Sequence, residues 1–113
     1  MLNIRFCSGA EFTQDEIIVD EPYRQLVHFI DDDIQRDAPS AEYLAQRLRG
    51  IIAGTAPPLQ DANGNVWTMD VDANVARLAC YFRTPVAKIE LPTAELLYAL
   101  EAWRDHLIAK ERA

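Results

Sequence analysis

The sequence predicts an α+β domain, in which helices pack against an antiparallel sheet. Apolar and polar residues alternate in short segments between residues 65 and 91, as in half-buried strands. Apolar residues recur at helical spacing between residues 22 and 52 and again from residue 93. Asn63-Gly64 adds a strong hairpin signal. We therefore expect N-terminal strands and two helices, an antiparallel β-meander of three or four strands, and a C-terminal helix packed on the sheet.

The length of the chain favours a single domain. Its 113 residues, 50% of them apolar, are enough for one hydrophobic core and too few for two. No repeat, low-complexity tract or linker divides the sequence. We expect one domain that spans residues 1–113.

Two short strands and a helix are predicted at the N-terminal end. "LNIRF" at residues 2–6 alternates apolar and polar residues, and "IIV" at residues 17–19 is a β-branched run that could pair with it. Pro22 suits the first turn of a helix, with Asp20 or Glu21 before it as the N-cap. The apolar stripe of this helix has five members: Tyr23, Leu26, Val27, Ile30 and Ile34.

A second helix follows at once. Pro39 is predicted to end the first helix, Ser40 to cap the second and Gly54 to close it. The apolar stripe of this second helix has four members: Leu44, Leu48, Ile51 and Ile52.

The second half of the chain reads as strands and one long helix. Three predicted strands each place three residues on one face: Trp67, Met69 and Val71; Leu78, Cys80 and Phe82; Ala87, Ile89 and Leu91. Thr84-Pro85 is predicted to make a turn, and Pro92-Thr93 to open a helix over residues 93–110. Leu96, Leu100 and Trp103 of this helix are expected to pack on the sheet face that carries Trp67.

The cysteines and the N-terminus favour a cytoplasmic protein. Cys7 and Cys80 show no metal-ligand spacing, and two free thiols suit a reducing compartment. The N-terminus lacks a basic stretch followed by a sustained apolar run, so no secretory signal is predicted. No apolar segment is long enough to cross a bilayer, so we expect no membrane partner.

The net charge is −7, and its distribution is uneven. Residues 11–37 hold nine acidic and two basic side chains. Their charges sum to −7, which equals the net charge of the whole chain. A protein that binds nucleic acid directly needs lysines and arginines for the phosphates, so that class of partner is disfavoured. The acidic segment suggests a positively charged protein partner.

The centre of this segment is the triplet Asp31, Asp32 and Asp33. On a regular helical wheel Asp32 points directly outward, and its two neighbours flank it. Arg36, one turn further on, offsets part of the repulsion, by about 0.2–0.5 kcal/mol. Two interpretations stay open: a solvated helix face, or a surface shaped for a cationic partner.

Phe29 favours the second interpretation. It projects away from the apolar stripe, between Asp33 and Arg36, which predicts an exposed aromatic anchor at the edge of an acidic surface. The alternative is that the second helix or a loop covers it. The candidate partner-binding residues are Asp20, Glu21, His28, Phe29, Asp31, Asp32, Asp33 and Arg36.

Catalysis, metals and cofactors have little support. His28 and His106 are the only histidines, and a His28–Asp32 pair on one helix face reads as a surface contact. "DANGN" and "DVDAN" begin like calcium loops, but Val66 and Val75 stand where glycine is required, so β-turns explain them better. We expect no catalytic residue, no metal and no cofactor.

The C-terminal third resembles a known family. "KIELPTAELLYALEAWRDHLIAK", residues 88–110, is a strand ending in "ELPT" followed by a helix of the form E-L-L-x-x-L-x-x-W-R-D-x-L. This arrangement resembles the immunity proteins of contact-dependent growth inhibition systems and is similar to small YacL-like bacterial proteins. The resemblance covers the last helix and, more loosely, the hairpins before it.

The resemblance implies a non-enzymatic protein that binds and neutralises the toxin domain of a cognate secreted effector, commonly a nuclease. Such toxin domains are basic because they hold nucleic acid, which agrees with the acidic segment. We expect a monomer or weak dimer in solution. The alternative function is a small acidic regulatory or adaptor protein whose basic partner is not a toxin.

Overall fold

A computed structural model describes residues 2–7 and 16–112 of the chain. The predicted α+β architecture is confirmed: a two-stranded sheet, helices, a four-stranded antiparallel sheet and a C-terminal helix packed on that sheet. The elements in chain order are β1 (Ile4–Cys7), β2 (Glu16–Val19), α1 (Leu26–Phe29), a π-helical turn (Ile30–Ile34), α2 (Ala38–Ala53), β3 (Leu59–Asn63), β4 (Thr68–Val71), β5 (Val75–Cys80), β6 (Ala87–Pro92) and α3 (Thr93–Glu111).

Both sheets pair neighbouring strands in antiparallel fashion. β1 pairs with β2, with Ile4 opposite Val19. The second sheet has the strand order β3-β4-β5-β6, which is the predicted meander with four strands. Asn63 pairs with Thr68, so the predicted hairpin is present with residues 64–67 as its loop.

The core lies between the larger sheet and the two long helices. α2 packs along α3, and α3 also contacts β5 and β6. Leu96, Leu100 and Trp103 of α3 are fully buried, in one cluster with Trp67 and Val71. The predicted packing of α3 on this face of the sheet is therefore confirmed.

The first helix differs from the prediction in its start. It begins only at Leu26, after a turn in which the Tyr23 N–H donates to the carbonyl of Asp20 at 3.1 Å. Asp20 does not cap it, because its carboxylate accepts hydrogen bonds from Asn3 at 2.9 Å and Arg5 at 3.4 Å instead. Asn3, just before β1, and Arg5 within β1 thus engage the side chain that we predicted as a helix cap.

The first helix also changes its pitch. At Ile30 it becomes a π-helical turn, in which the Gln35 N–H donates to the Ile30 carbonyl, five residues back, at 2.6 Å. A π-turn advances each residue by a smaller angle than an α-helix, so a regular wheel places the following side chains wrongly. The three aspartates lie inside this turn.

The second helix starts three residues earlier than predicted. Pro39 lies in its first turn instead of ending the first helix, and Asp37 occupies the N-cap position that we predicted for Ser40. The Ser40 hydroxyl donates to the Asp37 carboxylate. Gly54 closes the helix as predicted, with a left-handed φ of 81° that favours glycine.

Candidate functional site

Phe29 is not an exposed anchor, so this prediction is wrong. Its side chain is 0% exposed. Its ring meets the indole of Trp67 edge-on, with 5.8 Å between centroids. Trp67 belongs to the β3–β4 loop, and a covering loop was the alternative that the sequence left open. The apolar stripe alone gave no sign of this second packing face of the helix.

Asp32 does not point outward either. Its carboxylate accepts hydrogen bonds from the indole N–H of Trp67 and from a guanidinium N–H of Arg83, both at 2.9 Å. Burial raises the pKa of Asp32, but these two hydrogen bonds outweigh it and hold the pKa below its ordinary value. Asp32 therefore joins the first helix to two different hairpin loops.

Asp33 is also used inside the domain. Its two carboxylate oxygens accept hydrogen bonds from the peptide N–H groups of Val66, at 2.8 Å, and Trp67, at 3.0 Å. Burial raises the pKa of Asp33 above its ordinary value by more than these bonds lower it. A Cβ atom at Gly64 would overlap this carboxylate, so only glycine fits there without movement.

Asp31 is the exposed member of the triplet. It forms an ion pair with Arg36 at 3.7 Å. The guanidinium of Arg36 also lies 5.8 Å from the ring centroid of Trp103. The π-helical turn thus directs two of the three aspartates towards the hairpin loops and leaves one on the surface.

The other candidate residues remain on the surface. Asp20 is exposed and paired with Arg5. Glu21 forms an ion pair with Arg24 at 3.7 Å. His28 is exposed and lies near Asp32. The structure does not bring all eight candidates into one acidic face, because Phe29, Asp32 and Asp33 serve the interior.

The β5–β6 loop carries a feature that sequence reasoning missed. Phe82 is 83% exposed, Tyr81 is 63% exposed and Val86 is 43% exposed. Phe82 was predicted to share the inward face of Leu78 and Cys80, but β5 ends at Cys80 and the alternation ends with it. We call Tyr81, Phe82 and Val86 the aromatic tip.

Arg83 holds this loop in place. Its side chain turns inward to Asp32, whereas the aromatic side chains before it turn outward. The hydrogen bond from Arg83 to Asp32 favours the charged form of Arg83 and raises its pKa. The loop therefore directs its one charged side chain, which is partly buried, towards Asp32 and leaves the aromatic tip in solvent. The signal in the sequence was "YFRTP", an arginine between aromatics and a proline in a predicted turn.

A cleft of about 330 Å³ lies between the aromatic tip and the β3–β4 loop. Tyr81 and Phe82 line it on one side, and residues 63–68 line it on the other. We call it the aromatic cleft. A second, broader depression of about 420 Å³ lies on the outer face of the sheet beside Tyr81, where Arg77 pairs with Glu90 at 3.2 Å.

An ion-pair network joins the two long helices on another side of the domain. The Glu42 carboxylate accepts hydrogen bonds from Arg49, at 3.1 and 3.2 Å, and from Arg104 at 2.6 Å. Arg49 also bonds to Glu101 at 3.0 Å. The hydrogen bonds from Arg49 and Arg104 lower the pKa of Glu42 to about 2. This network links α2 to α3.

The remaining reactive side chains are dispersed. His106 stacks against both Phe6 and Trp103, at centroid distances of 4.6 and 5.6 Å, and these two rings also contact each other at 5.4 Å. Cys7 is exposed and Cys80 is buried, both as free thiols. Within residues 2–7 and 16–112, no group of three or more His, Cys, Asp or Glu side chains is placed to hold a metal ion.

The comparisons with known proteins are negative: the chain matches no protein family, no curated protein and no solved structure. In the part of the chain that the structure describes, no helix is both long and apolar enough to span a membrane.

Proposed function

We propose that the protein is a cytoplasmic immunity protein, which binds and neutralises the toxin domain of a cognate secreted effector. It acts by stoichiometric binding and has no catalytic activity of its own. The resemblance of residues 88–110 to immunity proteins and the net charge of −7 support this proposal. The observation that carries it is the exposure of the aromatic tip.

An aromatic tip in solvent is costly for a free protein. Burial of a single phenylalanine side chain is worth about 1.5–3 kcal/mol, so a loop that keeps Phe82 in water forgoes that stabilisation. Exposed aromatic residues that cluster on one loop are typical of protein interfaces, where they act as anchors. Arg83 fixes the loop before any partner binds, which lowers the entropic cost of association.

The charge of the chain indicates a basic partner. A nuclease toxin needs a positively charged surface for its polyanionic substrate. The exposed Asp20, Glu21 and Asp31 add to the net negative charge and would attract such a surface over long range. In this proposal the surface acids steer association, whereas the aromatic tip supplies the buried contact.

The test starts from gene order. An immunity gene lies immediately downstream of a large effector gene, so the C-terminal domain encoded upstream is the protein to use. We expect its expression to arrest growth and co-expression of the present protein to restore it, with a 1:1 complex in gel filtration. An upstream domain that neither arrests growth nor binds would reject the proposal. A harmless basic partner would favour the adaptor function.

A further inference from the structure

We propose that the aromatic cleft receives a cationic side chain, arginine or lysine, from the surface of the partner. This inference rests on the proposed function, since it names the chemistry by which the same surface recognises the toxin domain. It assigns a ligand type to the cleft that lies between the aromatic tip and the β3–β4 loop.

The lining of the cleft suits a cation. Its described lining residues are uncharged, so no basic side chain there repels an incoming one. Tyr81 and Phe82 supply aromatic rings, whose faces attract a guanidinium or ammonium group. Asn63 and Asn65 supply amide oxygens that accept hydrogen bonds from it.

The carboxylate of Asp33 lies behind the wall of the cleft. Gly64, Val66 and Trp67 line the cleft, and Asp33 accepts hydrogen bonds from the peptide N–H groups of Val66 and Trp67. The carboxylate is in contact range of the Gly64 Cα, since a Cβ there would overlap it. Asp33 is therefore separated from the cleft by the thickness of the loop.

The negative charge of Asp33 is incompletely balanced. Its described hydrogen bonds come from peptide N–H groups, which carry only partial positive charge. Asp32 accepts hydrogen bonds from one charged group, the Arg83 guanidinium, and from the uncharged indole of Trp67. Two carboxylates against one guanidinium leave a net negative charge beneath the loop, and partial burial weakens its screening by water. The cleft is thus a site of negative potential with an aromatic rim.

An apolar side chain from the partner fits the cleft less well. It would contact the aromatic tip, but it would offer no hydrogen bond to the amide group of Asn65 on burial, and the Asn63 amide oxygen would keep only its bond from the Thr68 hydroxyl. A second copy of this chain would bring its own negative charge of −7 to the same surface. Charge complementarity therefore favours a basic protein over both.

A matched pair of small probes tests the cleft without the partner. N-butylguanidinium and N-butylurea share a planar head group and a butyl chain, but the urea is uncharged and carries a carbonyl oxygen in place of one amino group. We expect N-butylguanidinium at millimolar concentration to shift the NMR signals of the Trp67 indole N–H and the Phe82 ring saturably, and N-butylurea to bind at least several-fold more weakly. Phe82→Ala should weaken the response. Equal binding of the two probes, or no response at the cleft, would overturn the inference.

Two substitutions test the cleft in the complex with the upstream toxin domain. Asn65→Lys places a cation in the exposed rim, and we expect at least a tenfold loss of affinity, whereas Asn65→Gln should retain binding. Equal affinity for both variants would overturn the cation assignment. If the unmodified protein does not bind this domain, the proposed function fails, and the probe result still decides the chemistry of the cleft. Self-association that Phe82→Ala abolishes would identify a second copy as the occupant and reject the inference.

Discussion

Asp32 and Arg83 lie 51 residues apart in the chain, yet their side chains meet at 2.9 Å. The same carboxylate oxygen accepts the indole N–H of Trp67, also at 2.9 Å. One aspartate of an apparently solvated triplet therefore organises the two loops that border the aromatic cleft. The position of the aromatic tip and of the aromatic cleft thus depends on the contact of Asp32 with Trp67 and Arg83. This contact joins three segments that are distant in the sequence.

Asp32→Asn should destabilise the fold. The amide oxygen can still accept the Trp67 N–H, but the charge-assisted bond from Arg83 is lost. We expect a loss of about 1.5–3 kcal/mol in the free energy of unfolding, measured by urea denaturation. Asp31→Asn is the matched control on the exposed side and should change stability by less than about 0.5 kcal/mol. Equal effects of the two changes would contradict the assigned role of Asp32.

The sequence predicted Phe29 to be exposed and Phe82 to lie on the inward face of its strand. We expect the opposite, with Phe29 important for stability and Phe82 for binding. Phe29→Ala empties a fully buried position and should cost about 3–5 kcal/mol in unfolding free energy. Phe82→Ala should leave stability within about 0.5 kcal/mol, because its side chain is 83% exposed.

In binding to the proposed toxin domain, Phe82→Ala should speed dissociation by about tenfold or more, as expected of an anchor. Tyr43→Ala, an exposed aromatic on α2, is the control and should leave dissociation unchanged. A Phe82 variant that dissociates at the normal rate would remove the aromatic tip from the interface.

The surface acids should control the rate of association. Replacing Asp20, Glu21 and Asp31 by their amides should slow association with the basic domain several-fold at low salt. The difference should shrink near about 0.5 M salt, where screening acts over only a few ångströms. Stopped-flow kinetics at two salt concentrations measure this effect, and a salt-independent difference would argue against steering.

The Glu42 network should make the fold sensitive to acid. The pKa of Glu42 is lowered in the folded state from the ordinary 4.5 to about 2, so folding favours the ionised form of this carboxylate. This stabilisation is complete above the ordinary pKa and is lost as the pH falls towards the folded value. The unfolding free energy should therefore drop between about pH 5 and pH 2, and less steeply in Glu42→Gln. Glu111→Gln, at the exposed end of α3, should retain the slope of the unmodified protein.

Leu100→Ala tests the packing of α3. Leu100 is fully buried, and the change should cost about 2–5 kcal/mol in the free energy of unfolding. Leu97→Ala, on the partly exposed side of the same helix, should cost clearly less. A loss below about 0.5 kcal/mol at Leu100 would place the core on a different face of the helix.

Sequence alone determined the features that depend on neighbouring residues. Alternation and helical spacing located the strands and helices, since each pattern reflects which side chains share one face of an element. Gly54 marked a helix end because a left-handed residue is required there. The long stripe of α3 identified Leu96, Leu100 and Trp103 as core residues, all of which are buried.

Tertiary structure decided which polar and aromatic residues meet. Asp32, Trp67 and Arg83 come from three separate segments, and no local period relates them. Phe29 is buried because a loop from the opposite half of the chain covers the second face of its helix. Phe82 is exposed because its strand ends two residues earlier and Arg83 takes the inward direction. Side-chain exposure depends on which distant segment packs on a residue, which a one-dimensional pattern does not contain.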